Sequence, residues 1–127
     1  MSIKTEFRHA RTCYGHLAGE VAVEVLQAML DDRWLTAAGR DYTLTRRGEA
    51  KLAALGIDVP KLRRGRRLFA RTCLDLTERR PHLAGALGDA LVDLYVERGW
   101  ITRRRGSRVV SIAPNGYTAF QQYFVTS

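Results

Sequence analysis

Ala10-Arg11-Thr12-Cys13-Tyr14-Gly15-His16-Leu17-Ala18-Gly19 is echoed later in the chain by Ala70-Arg71-Thr72-Cys73 and then His82-Leu83-Ala84-Gly85. A tryptophan follows each histidine at the same distance, Trp34 after His16 and Trp100 after His82, 18 residues in both cases. An ordered run of matches of this kind reads as a tandem duplication of one supersecondary unit. Two like modules then pack with approximate twofold symmetry, and function sits at their junction or in what distinguishes them. One insertion separates the copies. Cys13 lies 3 residues before His16, but Cys73 lies 9 before His82, the extra stretch running from Asp75 to Pro81.

Working outward, the apolar residues Leu17, Val21, Val25, Leu26, Met29 and Leu30 recur at spacings of three and four, which predicts an amphipathic helix from Arg8 or Arg11 to Asp32. Gly15 and Gly19 weaken such a helix and suggest a close neighbour. Trp34 to Thr45 then reads as a β-hairpin turning at Gly39. Thr45 is an N-cap for a short helix from Arg46 to Leu55, stopped by Gly56. The second copy repeats the order. A helix opens at Thr77, Glu78 and Pro81, with a stripe of Leu83, Leu87, Leu91, Leu94 and Tyr95 ending at Gly99. A hairpin pairs 100–102 with 109–112, and a last helix runs from Tyr117 to Phe124. The stretch 67–74 is a strand or an irregular crossing. Trp34 and Trp100 anchor the helix-hairpin cores. Tyr14, Tyr95, Phe120, Tyr123 and Phe124 form core, a dimer face or a pocket lining.

At 127 residues with a net charge of +8, the chain is one ordinary domain or two very small ones sharing a core, and a polyanion, nucleic acid first, is the expected partner. No apolar run approaches the roughly 20 residues that span a bilayer, and the start has no signal-peptide character. A cytoplasmic protein without a membrane partner is expected. Two cysteines are too few for a secreted disulfide framework. Enzymatic chemistry is rejected: there is no Gly-rich phosphate loop, Gly-x-Ser-x-Gly elbow or His-Glu-x-x-His.

Three sets of residues carry possible function. Arg103, Arg104, Arg105 and Arg108 surround Gly106 at a hairpin tip, where they either grip phosphates without reading sequence or form a solvated turn. The linker holds Lys61, Arg63, Arg64, Arg66 and Arg67, after Asp58-Val59-Pro60 has set a capped, proline-started helical turn. A solvated charge run is its plainer reading. Cys13, His16, Cys73 and His82 are the one constellation able to form a metal or redox site, since two thiolates and two imidazoles suit tetrahedral Zn²⁺ or another transition metal. The preferred expectation is still the plain one. Each cysteine packs as a small hydrophobe, and each histidine caps or hydrogen-bonds within its helix. The identity of any cofactor stays open.

The order of long helix, hairpin and Leu44-Thr45-Arg46-Arg47-Gly48 resembles the wing-to-helix junction of bacterial winged-helix regulators. The stretches 11–19 and 78–88 resemble a C-terminal region of ArsR-like winged-helix transcriptional regulators, over about Arg8 to Phe124. In that family this region follows an N-terminal helix-turn-helix, a domain this chain is expected to lack. Between Leu87-Gly88 and Gly99-Trp100 there is room for one continuing helix only, so neither copy has a separate recognition helix. The resemblance implies an α+β fold, a tandem of degenerate winged-helix-like units (long helix, β-hairpin, short helix). The first covers residues 1–56, a basic linker 57–67, and the second 68–127. It implies the effector-sensing and dimerising part of a repressor, a homodimer, with DNA phosphate contact through the second wing. The alternatives are a small-ligand or metal-binding module with no nucleic-acid role, and a protein that pairs with a full-length regulator.

Overall fold

A computed structural model describes residues 3–65 and 68–125. The basic positions Arg66 and Arg67 lie outside the described residues. The chain is α+β. It begins with α1 (Ile3–His9), β1 (Arg11–Cys13), β2 (His16–Ala18), α2 (Glu20–Asp31), β3 (Leu35–Ala38), β4 (Asp41–Leu44) and α3 (Arg46–Leu55). It continues with α4 (Val59–Arg64), β5 (Arg71–Leu74), β6 (Pro81–Ala84), α5 (Gly85–Glu97), β7 (Ile101–Arg103), β8 (Val110–Ile112) and α6 (Pro114–Phe120), which runs on as a π-helical segment, Gln121–Val125. Each half thus follows the order hairpin, long helix, hairpin, short helix. Among the described residues no helix is long and apolar enough to cross a membrane.

The structure corrects both expected long-helix starts. The first helix does not begin at Arg8 or Arg11: residues 11–18 form a hairpin with Cys13 paired to His16 across Tyr14 and Gly15. Likewise Thr77 and Glu78 open no helix, because Pro81–Ala84 pairs with Arg71–Leu74. The cause lies in the glycines that end these strands. Gly19 has φ 95° and Gly85 φ 87°, a region that L side chains rarely adopt. A Cβ there would lie 2.7 Å from the Arg8 carbonyl oxygen at Gly19 and 2.8 Å from that of Leu68 at Gly85. Strand β2 is buried on both faces at His16, Leu17 and Ala18, and β6 buries His82 and Leu83 in succession, so these two strands show no alternation and their leucines blend into the helical stripe behind them.

The other local readings fare better. Thr45 caps α3 by accepting a hydrogen bond from the Gly48 N–H at 2.9 Å, and Gly56 ends the helix at φ 98°. Asp58 caps α4 through the Lys61 N–H at 3.1 Å. The hairpins β3–β4 and β7–β8 stand where the sequence put them, while the last helix begins earlier than expected, at Pro114.

Packing is reciprocal. Helix α2 lies on β6 and α5 lies on β2, so each half covers the hairpin of the other. The apolar core accordingly draws Leu26 and Met29 together with Leu87, Leu91 and Tyr95. Trp34 and Trp100 are buried as anchors, Trp34 against Phe124 at 5.2 Å between centroids, and Tyr95 meets Phe120 edge-on at 4.9 Å. Tyr14 departs from the aromatic grouping expected of it: it is 97% exposed at the β1–β2 turn, with φ 57°.

The outer hairpins also cross over. The first, β3–β4, pairs with β5 of the second half, with Tyr42 N–H donating to Ala70 O at 3.1 Å and Thr72 N–H to Arg40 O at 2.8 Å. The second, β7–β8, meets β1 of the first half, with Val110 N–H donating to Ala10 O at 3.2 Å and Thr12 N–H to Arg108 O at 2.8 Å.

Candidate functional site at the hairpin junction

The two inner hairpins meet at β2 and β6, and this places both Cys-His pairs at one point. In each hairpin the cysteine and histidine are cross-strand partners, Cys13 with His16 and Cys73 with His82. Directly opposite residues of an antiparallel pair put their side chains on one face of the sheet. One ligand atom from each of the four lies within 4.8 Å of the other three. The histidines are buried and the cysteines half-buried, both as free thiols. The expectation that each histidine bonds within its own helix is corrected here. Both sit on strands, and their Nε2 atoms face each other across the junction at 3.0 Å.

Sequence reasoning missed the residue that organises this point. Asp75, the first residue of the insertion, is completely buried. Its Oδ1 accepts hydrogen bonds from the Gly19 N–H at 2.7 Å and from His82 Nδ1 at 2.8 Å. Its Oδ2 accepts from the Glu78 N–H at 2.9 Å, the Thr77 hydroxyl at 3.0 Å and N–H at 3.1 Å, and the buried Arg11 guanidinium at 3.3 Å. Burial alone would raise the Asp75 pKa. The N–H groups of Gly19 and Glu78, the His82 ring and Arg11 outweigh it and hold the carboxyl far below the usual carboxylate range. An ionised carboxylate only accepts, so the proton of His82 sits on Nδ1 and the lone pair of Nε2 points to the junction. Burial lowers the His82 pKa, against the opposing pull of Asp75. Burial and the neighbouring Cys13 sulfur push the Cys73 thiol up.

An open groove of about 570 Å³, lined by residues including Thr12, Cys13, Tyr14, His82 and Arg108, connects the cluster with solvent. The signal that could have found Asp75 was positional: a carboxylate beside a histidine is a usual way to fix a ring tautomer, and Asp75 opens the insertion that separates the second Cys-His pair.

The basic sets lie elsewhere. Arg103 to Arg108 are exposed around the β7–β8 turn. Arg104 pairs with Glu6 of α1, Arg103 approaches Asp93 at 3.6 Å, and Arg108 donates to the Thr12 carbonyl at 2.9 Å while lying over Phe7. Arg105 is exposed and has no such pairing among the described residues. Lys61, Arg63 and Arg64 are exposed on α4, Arg63 over the Phe69 ring at 5.2 Å. None of these linker residues reaches the junction. Helix α5 is unbroken from Gly85 to Glu97, leaving one helix between Leu87 and Gly99.

No protein-family model and no solved structure matches the chain. Over 120 residues it is 38% identical to a Bacillus subtilis (strain 168) protein named as the uncharacterized HTH-type transcriptional regulator YdfF. The match covers 94% of this chain and 53% of that protein, so the chain spans about half the length of the curated relative it matches. A likeness of this extent supports kinship with regulators of transcription.

Proposed function

We propose that this chain is the effector-sensing and dimerising part of an ArsR-like winged-helix repressor, touching DNA phosphates through its second wing. In this reading the halves are two copies of one unit, residues 1–56 and 68–127, joined by the linker 57–67. The observation that carries the proposal is the backbone link between wing and junction. Thr12, next to the Cys13 of the junction, donates its N–H to Arg108 O and receives the Arg108 side chain on its own carbonyl. A change at the junction therefore displaces the strand on which the basic wing rests. Arg103, Arg104, Arg105 and Arg108 are the phosphate-contacting set, and Lys61, Arg63, Arg64, Arg66 and Arg67 a second one.

The test is the salt dependence of binding to duplex DNA of arbitrary sequence. Arg105→Glu is the clean variant, because Arg104 and Arg108 also hold the fold together. Removing one phosphate-binding cation lowers the slope of log affinity against log salt by about 0.9. The wild-type chain is expected to bind with a steep slope and Arg105→Glu with a weaker affinity and a shallower one. Equal affinity and slope for the two proteins would remove the wing from the account. Sedimentation at several concentrations tests the dimer, and a monomer throughout rejects that part.

A further inference from the structure

We propose that the hairpin junction is a tetrahedral site for one Zn²⁺ ion, held by the sulfurs of Cys13 and Cys73 and the Nε2 atoms of His16 and His82, with Asp75 as the positioning residue. The site stands on its own geometry and does not depend on the DNA reading.

The donor set decides the class of ion. Two sulfurs and two imidazoles with no oxygen suit a borderline cation such as Zn²⁺, whereas Mg²⁺ and Ca²⁺ require oxygen ligands. Tetrahedral Zn²⁺, with bonds near 2.0–2.1 Å to nitrogen and 2.3 Å to sulfur, has ligand-to-ligand edges of about 3.3–3.8 Å. Four atoms all within 4.8 Å, with the two nitrogens at 3.0 Å, need only small side-chain rotations to reach those edges. Each ligand comes from a different strand, so the ion closes the gap between two hairpins of distant sequence. Four protein ligands leave no open position, which makes the centre a structural clamp and not a catalytic one.

The surroundings are those of a ligating histidine. Metal-bound imidazoles donate their other N–H to a carboxylate or carbonyl, which fixes tautomer and ring orientation. His82 Nδ1 does this to Asp75, whose remaining lone pairs are filled by Gly19, Thr77, Glu78 and Arg11. The two imidazoles, facing each other by their Nε2 atoms, then have a common partner in the ion. Binding balances as one Zn²⁺ replacing two thiol protons: both S–H bonds break, two Zn–S bonds form, and two protons leave to solvent. The groove beside Cys13 and His82 gives the entry path.

Co²⁺ is the spectroscopic probe, added to the full metal-free chain and then displaced by Zn²⁺. The expected result is one ion per chain, with strong visible bands of tetrahedral Co²⁺ and near-ultraviolet charge transfer from thiolate. Cys13→Ser and Cys73→Ser should each lose part of the charge-transfer band. Asp75→Asn should keep the tetrahedral bands but weaken binding 10- to 100-fold. Should Asp75→Asn fail to fold, the half-buried Cys13→Ser carries the test, with circular dichroism reporting its fold. Weak octahedral Co²⁺ bands, substoichiometric uptake, or an unchanged spectrum in both serine variants would overturn the site. Stoichiometric binding with no effect of Zn²⁺ on DNA affinity supports the clamp and counts against the sensing role alone.

Discussion

The two inner hairpins have matching paired residues and opposite connections. In the first, Tyr14 and Gly15 alone close the gap between Cys13 and His16. In the second, Cys73 and His82 are joined through Asp75 and the turn that follows it, and that turn is the polar hub of the molecule. A tight turn fixes a pair of side chains by backbone geometry alone. A longer one needs internal bonds to hold its shape, and Asp75 supplies them while also reaching Gly19 and Arg11 in the other half. Removing Asp75 is the largest available break in this comparison. Asp75→Ala strands the buried Arg11 charge and leaves the Gly19 and Glu78 N–H groups without acceptors, which should cost about 3–5 kcal/mol in urea unfolding. In the first half, Tyr14→Asn should leave the unfolding midpoint within a few tenths of a kcal/mol or raise it, because Asn tolerates positive φ better. Comparable losses in both variants would mean that the two connections are not different in kind.

The outer parts of the halves invite the opposite test, of sameness. A Cβ on Gly48 would strike the Trp34 carbonyl oxygen, and one on Gly116 would strike that of Trp100. Both oxygens are backbone atoms that cannot rotate away. Gly48→Ala and Gly116→Ala should therefore each destabilise by about 2–3 kcal/mol, by overpacking at equivalent positions. Thermal and urea unfolding of the two variants check this, and a variant close to wild type would show that one half tolerates what the other does not.

How much of this was legible in the sequence depended on whether the signal was local. Thr45, Gly56 and Asp58 act on residues three or four positions away, and their roles could be read directly. Trp34 and Trp100 are recognisable as anchors because they open strands after helix ends. The hairpins of 11–18 and 71–84 escape such a reading because their strands are short and their inner strands bury successive residues, His16-Leu17-Ala18 and His82-Leu83, which leaves no period of two. That gap hid the site. With His16 and His82 placed on helices, each has a plain local partner, and the cluster looks like coincidence. On strands, the pairings Cys13–His16 and Cys73–His82 become obligatory, and the meeting of β2 with β6 supplies the rest. Asp75 had a positional signal as the first residue of the insertion, but its role as a hub could not be read locally, since its partners Arg11 and Gly19 lie 64 and 56 residues away.

The smallest effect sharpens the comparison most directly, since it asks whether a feature of one half can be moved to the other. Thr45 and Ala113 occupy the same place. Each donates its N–H to the carbonyl of its tryptophan, Thr45 to Trp34 at 3.0 Å and Ala113 to Trp100 at 2.9 Å, and each precedes its glycine by three residues. Their backbones agree closely, φ −82° and ψ 168° against φ −74° and ψ 156°. Only Thr45 brings a hydroxyl to the first free N–H groups of its helix; Ala113 makes no side-chain cap. Thr45→Ala should cost about 1 kcal/mol. Ala113→Thr should return less, at most about 0.5 kcal/mol, because the Gly116 N–H already donates to the Ala113 carbonyl at 2.9 Å and the acquired hydroxyl would compete for it. The double variant should then fall about 0.5 kcal/mol or more below wild type, the two sites being independent. A gain at 113 would show that the halves share a capping geometry that the second left unused. A loss there would show that α6, continued by its π-helical segment, begins on different terms from α3.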